Sequence, residues 1–163
     1  MNIYSTFNSI LSALTKIIVN FNLETAAGEK LYQTALSCLG KDVAPKENEY
    51  GCAEAVNNVV FKAFGDYAGG DLSTKRMYLA LKNHKKFSEV SSPKPGDIIL
   101  SPTGYGNGNL SNGHTGIVGQ GGKIMSNNSI NGLFEENFTI ENWNHRYKNK
   151  GGFPVLFYRR IIA

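Results

Sequence analysis

A chain of 163 residues, 41% of them hydrophobic and 18% charged, is long enough for one domain with a real core, too short for two comfortable ones, and too apolar for a disordered tail. The net charge of +4 favours an anionic partner, but the basic residues are scattered in short groups such as Lys85–Lys86 and Arg159–Arg160, and no basic stripe with interleaved aromatics marks a nucleic-acid binder. Two cysteines, Cys38 and Cys52, make neither a disulfide framework nor metal-ligand spacing, and the expectation is no cofactor and no metal site.

Ile3, Phe7, Ile10, Leu11, Leu14, Ile17, Ile18 and Phe21 recur at helical spacing, with Asn8, Ser12, Thr15 and Lys16 between them, and predict an amphipathic helix. Its polar face holds one lysine, which argues against a membrane-surface role. Docking on the rest of the protein is the expectation, and a contact between copies is the other use of such a face. The longest uninterrupted apolar run here is Ile17–Val19, far short of a membrane span, so no integral membrane segment is expected. Without a basic n-region or a cleavage site, the opening residues do not read as a signal peptide. A second helix is expected over 26–39, with Leu31, Ala35 and Leu36 inward, Cys38 as core filler, and Gly40 as its stop.

The polar connection Lys41–Glu49, which contains Pro45, delivers the chain to Cys52. From there Ala53, Val56, Val59, Val60, Ala63 and Phe64 form one apolar helix face, with Gly51 breaking the chain before it and Gly65 stopping it. A thiol in the first turn of a helix meets unpaired backbone N–H groups and the positive end of the dipole, and both favour thiolate, the nucleophilic form. A free cysteine is as readily a small core residue. After a loop, Ser73 caps a short helix carrying Met77, Leu79, Ala80 and Leu81, and His84 follows in a basic stretch expected to face solvent.

From residue 93 the character changes. PKPGDIILS is a turn into a strand over Asp97–Ser101, and TGYGNGNLSNG is a glycine- and asparagine-rich loop. HTGIVG, the turn QGGK and KIMSNNS predict a hairpin over 114–128. A short helix or turn is expected around Trp143, and Pro154–Ile161 reads as a closing strand. Helices followed by an antiparallel sheet make the fold class α+β, in a single domain with N-terminal helices over 1–45 and a core over 46–163.

A cysteine nucleophile needs a base within hydrogen-bond reach, and the base needs a polar group to orient it. Of the three histidines, His84 and His145 lie in polar, basic stretches, whereas His114 opens a strand directly after a flexible loop, where a rigid scaffold can hold a reactive group in an open cleft. The facing strand carries Ser126, Asn127 and Asn128. Alternation decides which of them meets the imidazole, with Asn127 favoured, then Asn128, and a one-residue slip in the turn would reverse the answer.

The order of GCAEAVNNVV at 51–60, KPGDIIL at 94–100, GHTGIVG at 113–119 and IMSNNS at 124–129 resembles the papain-like cell-wall cysteine peptidases of the NlpC and CHAP (cysteine, histidine-dependent amidohydrolase/peptidase) types. That resemblance implies Cys52 as nucleophile, His114 as general base and later acid, and the third residue within 126–128. It implies an oxyanion held by the Cys52 backbone N–H together with a donor near Tyr50. The substrate would be an amide or peptide bond of peptidoglycan, and the chain a phage lysin, held in the host cytoplasm until released to the wall, or a virion-borne hydrolase. Gly51 and Ala53 stand where many NlpC-type members have Asp and Ser. Two other classes compete: an acyltransferase or deamidase acting on a protein, and a non-catalytic module that keeps the fold.

Overall fold

The computed structural model describes residues 3–47, 51–70 and 72–161. The two expected N-terminal helices are one continuous helix, α1, Ile3–Leu36. Residues 22–25 hold no proline, and the polar residues there do not break the hydrogen-bond ladder. The second half of α1 buries Ala27, Leu31, Tyr32 and Ala35 in the core. The first half does not dock as expected: every side chain from 6 to 20 is exposed.

Helix α2, Cys52–Phe64, is the central helix, closed at its end by Gly65 in the left-handed conformation. Its buried side chains Val56, Val59 and Val60 join Leu31 of α1 in one cluster. Helix α3, Thr74–Leu81, starts at the Ser73 cap.

Six antiparallel strands follow: β1 Phe87–Val90, β2 Ile98–Ser101, β3 His114–Val118, β4 Lys123–Asn127, β5 Phe134–Thr139 and β6 Leu156–Arg160, in the spatial order β1-β6-β2-β3-β4-β5. Helices before an antiparallel sheet are the α+β arrangement expected. The β3–β4 hairpin is present with Ile117 opposite Met125 and Val118 opposite Ile124. Strands β1 and β5, at the two edges, were not anticipated. One face of the sheet puts Ile98, Leu100, Ile117 and Met125 against the helices; the other puts Ile99, Val118 and Ile124 against Trp143, Tyr147 and Phe153. Trp143 ends the short helix α4, Ile140–Trp143, which runs on into wider π-type turns through Lys150.

The turn before β2 is pinned twice. Asp97, almost fully buried, accepts from the Lys94 backbone N–H at 2.7 Å and takes both Nε and Nη2 of Arg159 at 3.0 and 2.8 Å. Gly96 sits at φ 88° against α1, where a Cβ would lie 1.9 Å from the Gly28 carbonyl oxygen, so no side chain fits. No helix among the described residues is long and apolar enough to cross a membrane.

Candidate active site

Cys52 is the first residue of α2, and Gly51 before it offers no side-chain cap to the helix's leading N–H groups. The entry is held by the third residue of α2: buried Glu54 accepts the backbone N–H of Lys46 at 3.2 Å and of Glu47 at 2.9 Å. The connection is thereby tied to the helix that carries the thiol. The sulfur, partly buried, lies within reach of the backbone N–H groups of Cys52, Ala53 and Thr115. Those donors pull the thiol pKa down, as expected for a helix start, but burial outweighs them and pushes it up to about 11. Against the expectation of a favoured thiolate, desolvation is the larger effect and favours the thiol.

His114 is the first residue of β3 and lies opposite Ser101 of β2. The residue before it must be glycine, because a Cβ on Gly113 would meet the Ser101 carbonyl oxygen at 1.9 Å. Gly113 also donates its N–H to Thr103 Oγ1 at 3.0 Å, and Thr103 N–H donates to Thr74 Oγ1 at 3.1 Å, so both ends of the glycine-rich loop are fastened to the start of α3. The imidazole stands in an aromatic box. It stacks on Trp143 (centroids 5.2 Å apart, planes 25°) and Tyr147 (5.9 Å, 18°), with Phe138 tilted beside it at 5.7 Å. Trp143 is itself fixed by an Nε1–H bond to Ser101 Oγ of 3.1 Å. Burial in that box, with Arg146 adding like charge, lowers the His114 pKa to about 4.

The tautomer follows from the hydrogen bonds. Asn137 Nδ2 donates to the Ser126 carbonyl, which can only accept, at 3.4 Å. Asn137 Oδ1 therefore faces Ser126 Oγ, which donates to it at 2.7 Å. The serine proton being used there, its oxygen accepts from His114 Nε2–H at 2.9 Å. The proton of the neutral ring is thus on Nε2, and Nδ1 carries the lone pair a base needs.

Cys52 and His114 line one cleft of about 760 Å³, together with Thr74, Asn127, Asn128, Arg146 and Tyr147. Asn127 and Asn128, the favoured orienting residues, are both in its wall, yet neither makes the His114 bond just described. Asn127 follows Ser126 by one residue and so belongs to the helix-facing side of β4, opposite the side on which His114 meets Trp143. Asn128 shares the histidine's side but spends its amide on Glu135 Oε2 at 2.7 Å and accepts from the Ile130 N–H. Tyr50 lies outside the described residues. His84, expected in solvent, is half-buried against Phe87 at 5.1 Å, and His145 is exposed. Cys38 is buried in the core and both cysteines are free. Asn137 and the aromatic box carried no local signal that set them apart.

Among the described residues no group of three or more His, Cys, Asp or Glu side chains could hold a metal ion. What the cleft brings together is a thiol with backbone N–H donors around it and a neutral imidazole oriented by Ser126. No curated protein matches the chain. The family model for bacteriophage peptidoglycan hydrolases matches residues 40–162, which take in α2, the whole sheet and every residue of the cleft, and the chain belongs to that family.

Proposed function

We propose that the chain opens an amide or peptide bond of peptidoglycan by a thiol mechanism of the papain-like, NlpC or CHAP kind, with Cys52 as nucleophile, His114 as base and Ser126, rather than Asn127 or Asn128, as the residue that orients the ring. The observation that carries this reading is the placement of Cys52 and His114 in one cleft, with the sulfur reached by the N–H of Thr115, the residue next to the histidine. Sγ attacks the carbonyl carbon as its proton passes to Nδ1. The oxyanion is met by the backbone N–H at the start of α2. The imidazolium, held by Ser126, then gives its proton to the departing amine, leaving a thioester. Water, deprotonated by Nδ1, attacks the thioester, and the acid product and the free thiol are released. Arg146, on the cleft wall, suits the carboxylates of a wall peptide. In this reading the chain works as a phage lysin released to the wall or as a virion-borne hydrolase.

The test is turbidity loss of purified walls with Cys52→Ala and His114→Ala, alongside thermal unfolding. Both variants should lose clearing while Cys52→Ala melts within a few degrees of the parent. Mass spectra of the released fragments should show new free amino groups and no new reducing sugar ends. Clearing retained by both variants, or cut glycan strands, would end the thiol assignment.

A further inference from the structure

The first half of α1 stands away from the domain: over 6–20 its polar and apolar faces are both exposed. Phe7, Ile10, Leu11, Leu14, Ile17 and Ile18 are 50–65% accessible. A helix that leaves its domain for several turns has no packing to hold it, and isolated helices of that length are marginal in water. Threonine, asparagine and β-branched residues there make it a poor helix by propensity too.

The spacing identifies what covers this face. Ile3, Phe7, Ile10, Leu14, Ile17 and Phe21 follow one another at intervals of four and three without a slip. That is a period of 3.5, the repeat of a helix wound on a like helix, whereas a helix seated on a globular surface follows 3.6 and drifts about 20° per heptad. In heptad terms Phe7, Leu14 and Phe21 are a, and Ile3, Ile10 and Ile17 are d. β-branched Ile at every d with Leu or Phe at a is the choice that turns parallel coils from two strands toward three or four, and apolar Leu11 and Ile18 at e widen the seam in the same sense. The flanking e and g positions over 6–20 carry no charge, so identical copies do not repel. The only charged residue over 3–23 is Lys16, at the outer c position, which gives an anionic lipid surface little to hold. Six such faces at roughly 60–100 Å² each come to about 400–600 Å² per copy, so four copies bury on the order of 2,000 Å², as a stable specific interface does.

We propose that residues 3–23 join three or four copies of this chain into a parallel helical bundle. A parallel arrangement sets the domains at one end of the bundle, so several clefts meet one polymeric substrate and a released domain rebinds at high local concentration.

Sedimentation equilibrium of the full chain should give three or four times its 17.8 kDa mass. Ile10→Asp with Ile17→Asp should return one chain, whereas Ser12→Asp, at the outer f position, should leave the mass unchanged. A mass of one or two chains for the parent, or an unaltered assembly in the double variant, overturns the proposal. Flotation of a single-chain parent on phosphatidylcholine vesicles overturns it in favour of a lipid surface. Phe7→Cys in a Cys52→Ala background supplies a test that does not depend on the double variant folding. Mild oxidation should link copies through residue 7, which a parallel bundle brings together, and no linkage beyond that of the Cys52→Ala parent overturns the arrangement.

Discussion

At the scale of single residues, His114 depends on a chain of two partners. Ser126 alone does not fix the ring, because a hydroxyl can turn and donate to Nε2, which would move the ring proton to Nδ1. Asn137 removes that freedom by taking the serine proton at 2.7 Å. Under the proposed thiol mechanism, Asn137→Ala should therefore slow wall clearing about as much as Ser126→Ala, on the order of 10–100-fold, since a misoriented base loses most of its value. Asn128→Ala, which touches Glu135 and not the ring, should stay near the parent rate. A mere structural role for Asn137 would show instead as lowered melting temperature with clearing restored on cooling. Cys52 and His114 were legible as candidates because a helix start and a strand start leave local marks, glycine on one side and an apolar run on the other. The choice among 126–128 was not, because it rests on register, and a single step moves a side chain to the other face.

At the scale of elements, the reach of Asn137 comes from a β-bulge. Met125 pairs with Glu136 and Ile124 with Phe138, so Asn137 is the extra residue on β5. A bulge re-aims a side chain, here toward Ser126. Strand β5 reads FEENFT, with three residues of low strand propensity in a row, and only pairing with β4 makes it a strand. It could not be read locally, and the residue it supplies was hidden with it. β1 was missed for the related reason that its four residues gain order only from β6. The hairpin and β2, with their apolar cores and glycine turns, were plain. The turn into β2 carries its own test. Asp97 is nearly fully buried and bound by both Arg159 nitrogens, so Asp97→Ala leaves a partly buried guanidinium without its carboxylate. The expected loss is about 3 kcal/mol in urea unfolding. A loss under about 0.5 kcal/mol, the value of an exposed pair, would mean the clamp contributes little.

At the scale of the whole molecule, the site sits where the helical layer meets the open end of the sheet, and this placement decides its charge state. Both layers strip water from the sulfur, and the aromatic box strips it from the imidazole. Burial disfavours the charged form of each: the thiol is pushed up to about 11 and the imidazole down to about 4. At pH 7 burial therefore favours thiol and imidazole over thiolate and imidazolium. The sign has a direct chemical readout. A raised thiol pKa means less thiolate at pH 7 than in an ordinary cysteine of pKa about 8.5. The greater nucleophilicity of a more basic thiolate offsets roughly half of that deficit. Alkylation of Cys52 by iodoacetamide at pH 7, followed by mass spectrometry, should then run about twentyfold slower than that of a free thiol. The rate should climb steadily with pH to 9 and beyond, because each unit of pH raises the thiolate fraction until the folded pKa is reached. A rate that is already high at pH 6 and flat to pH 8 would show an ion pair formed before substrate arrives, and would mean that the donors at the start of α2 outweigh desolvation after all.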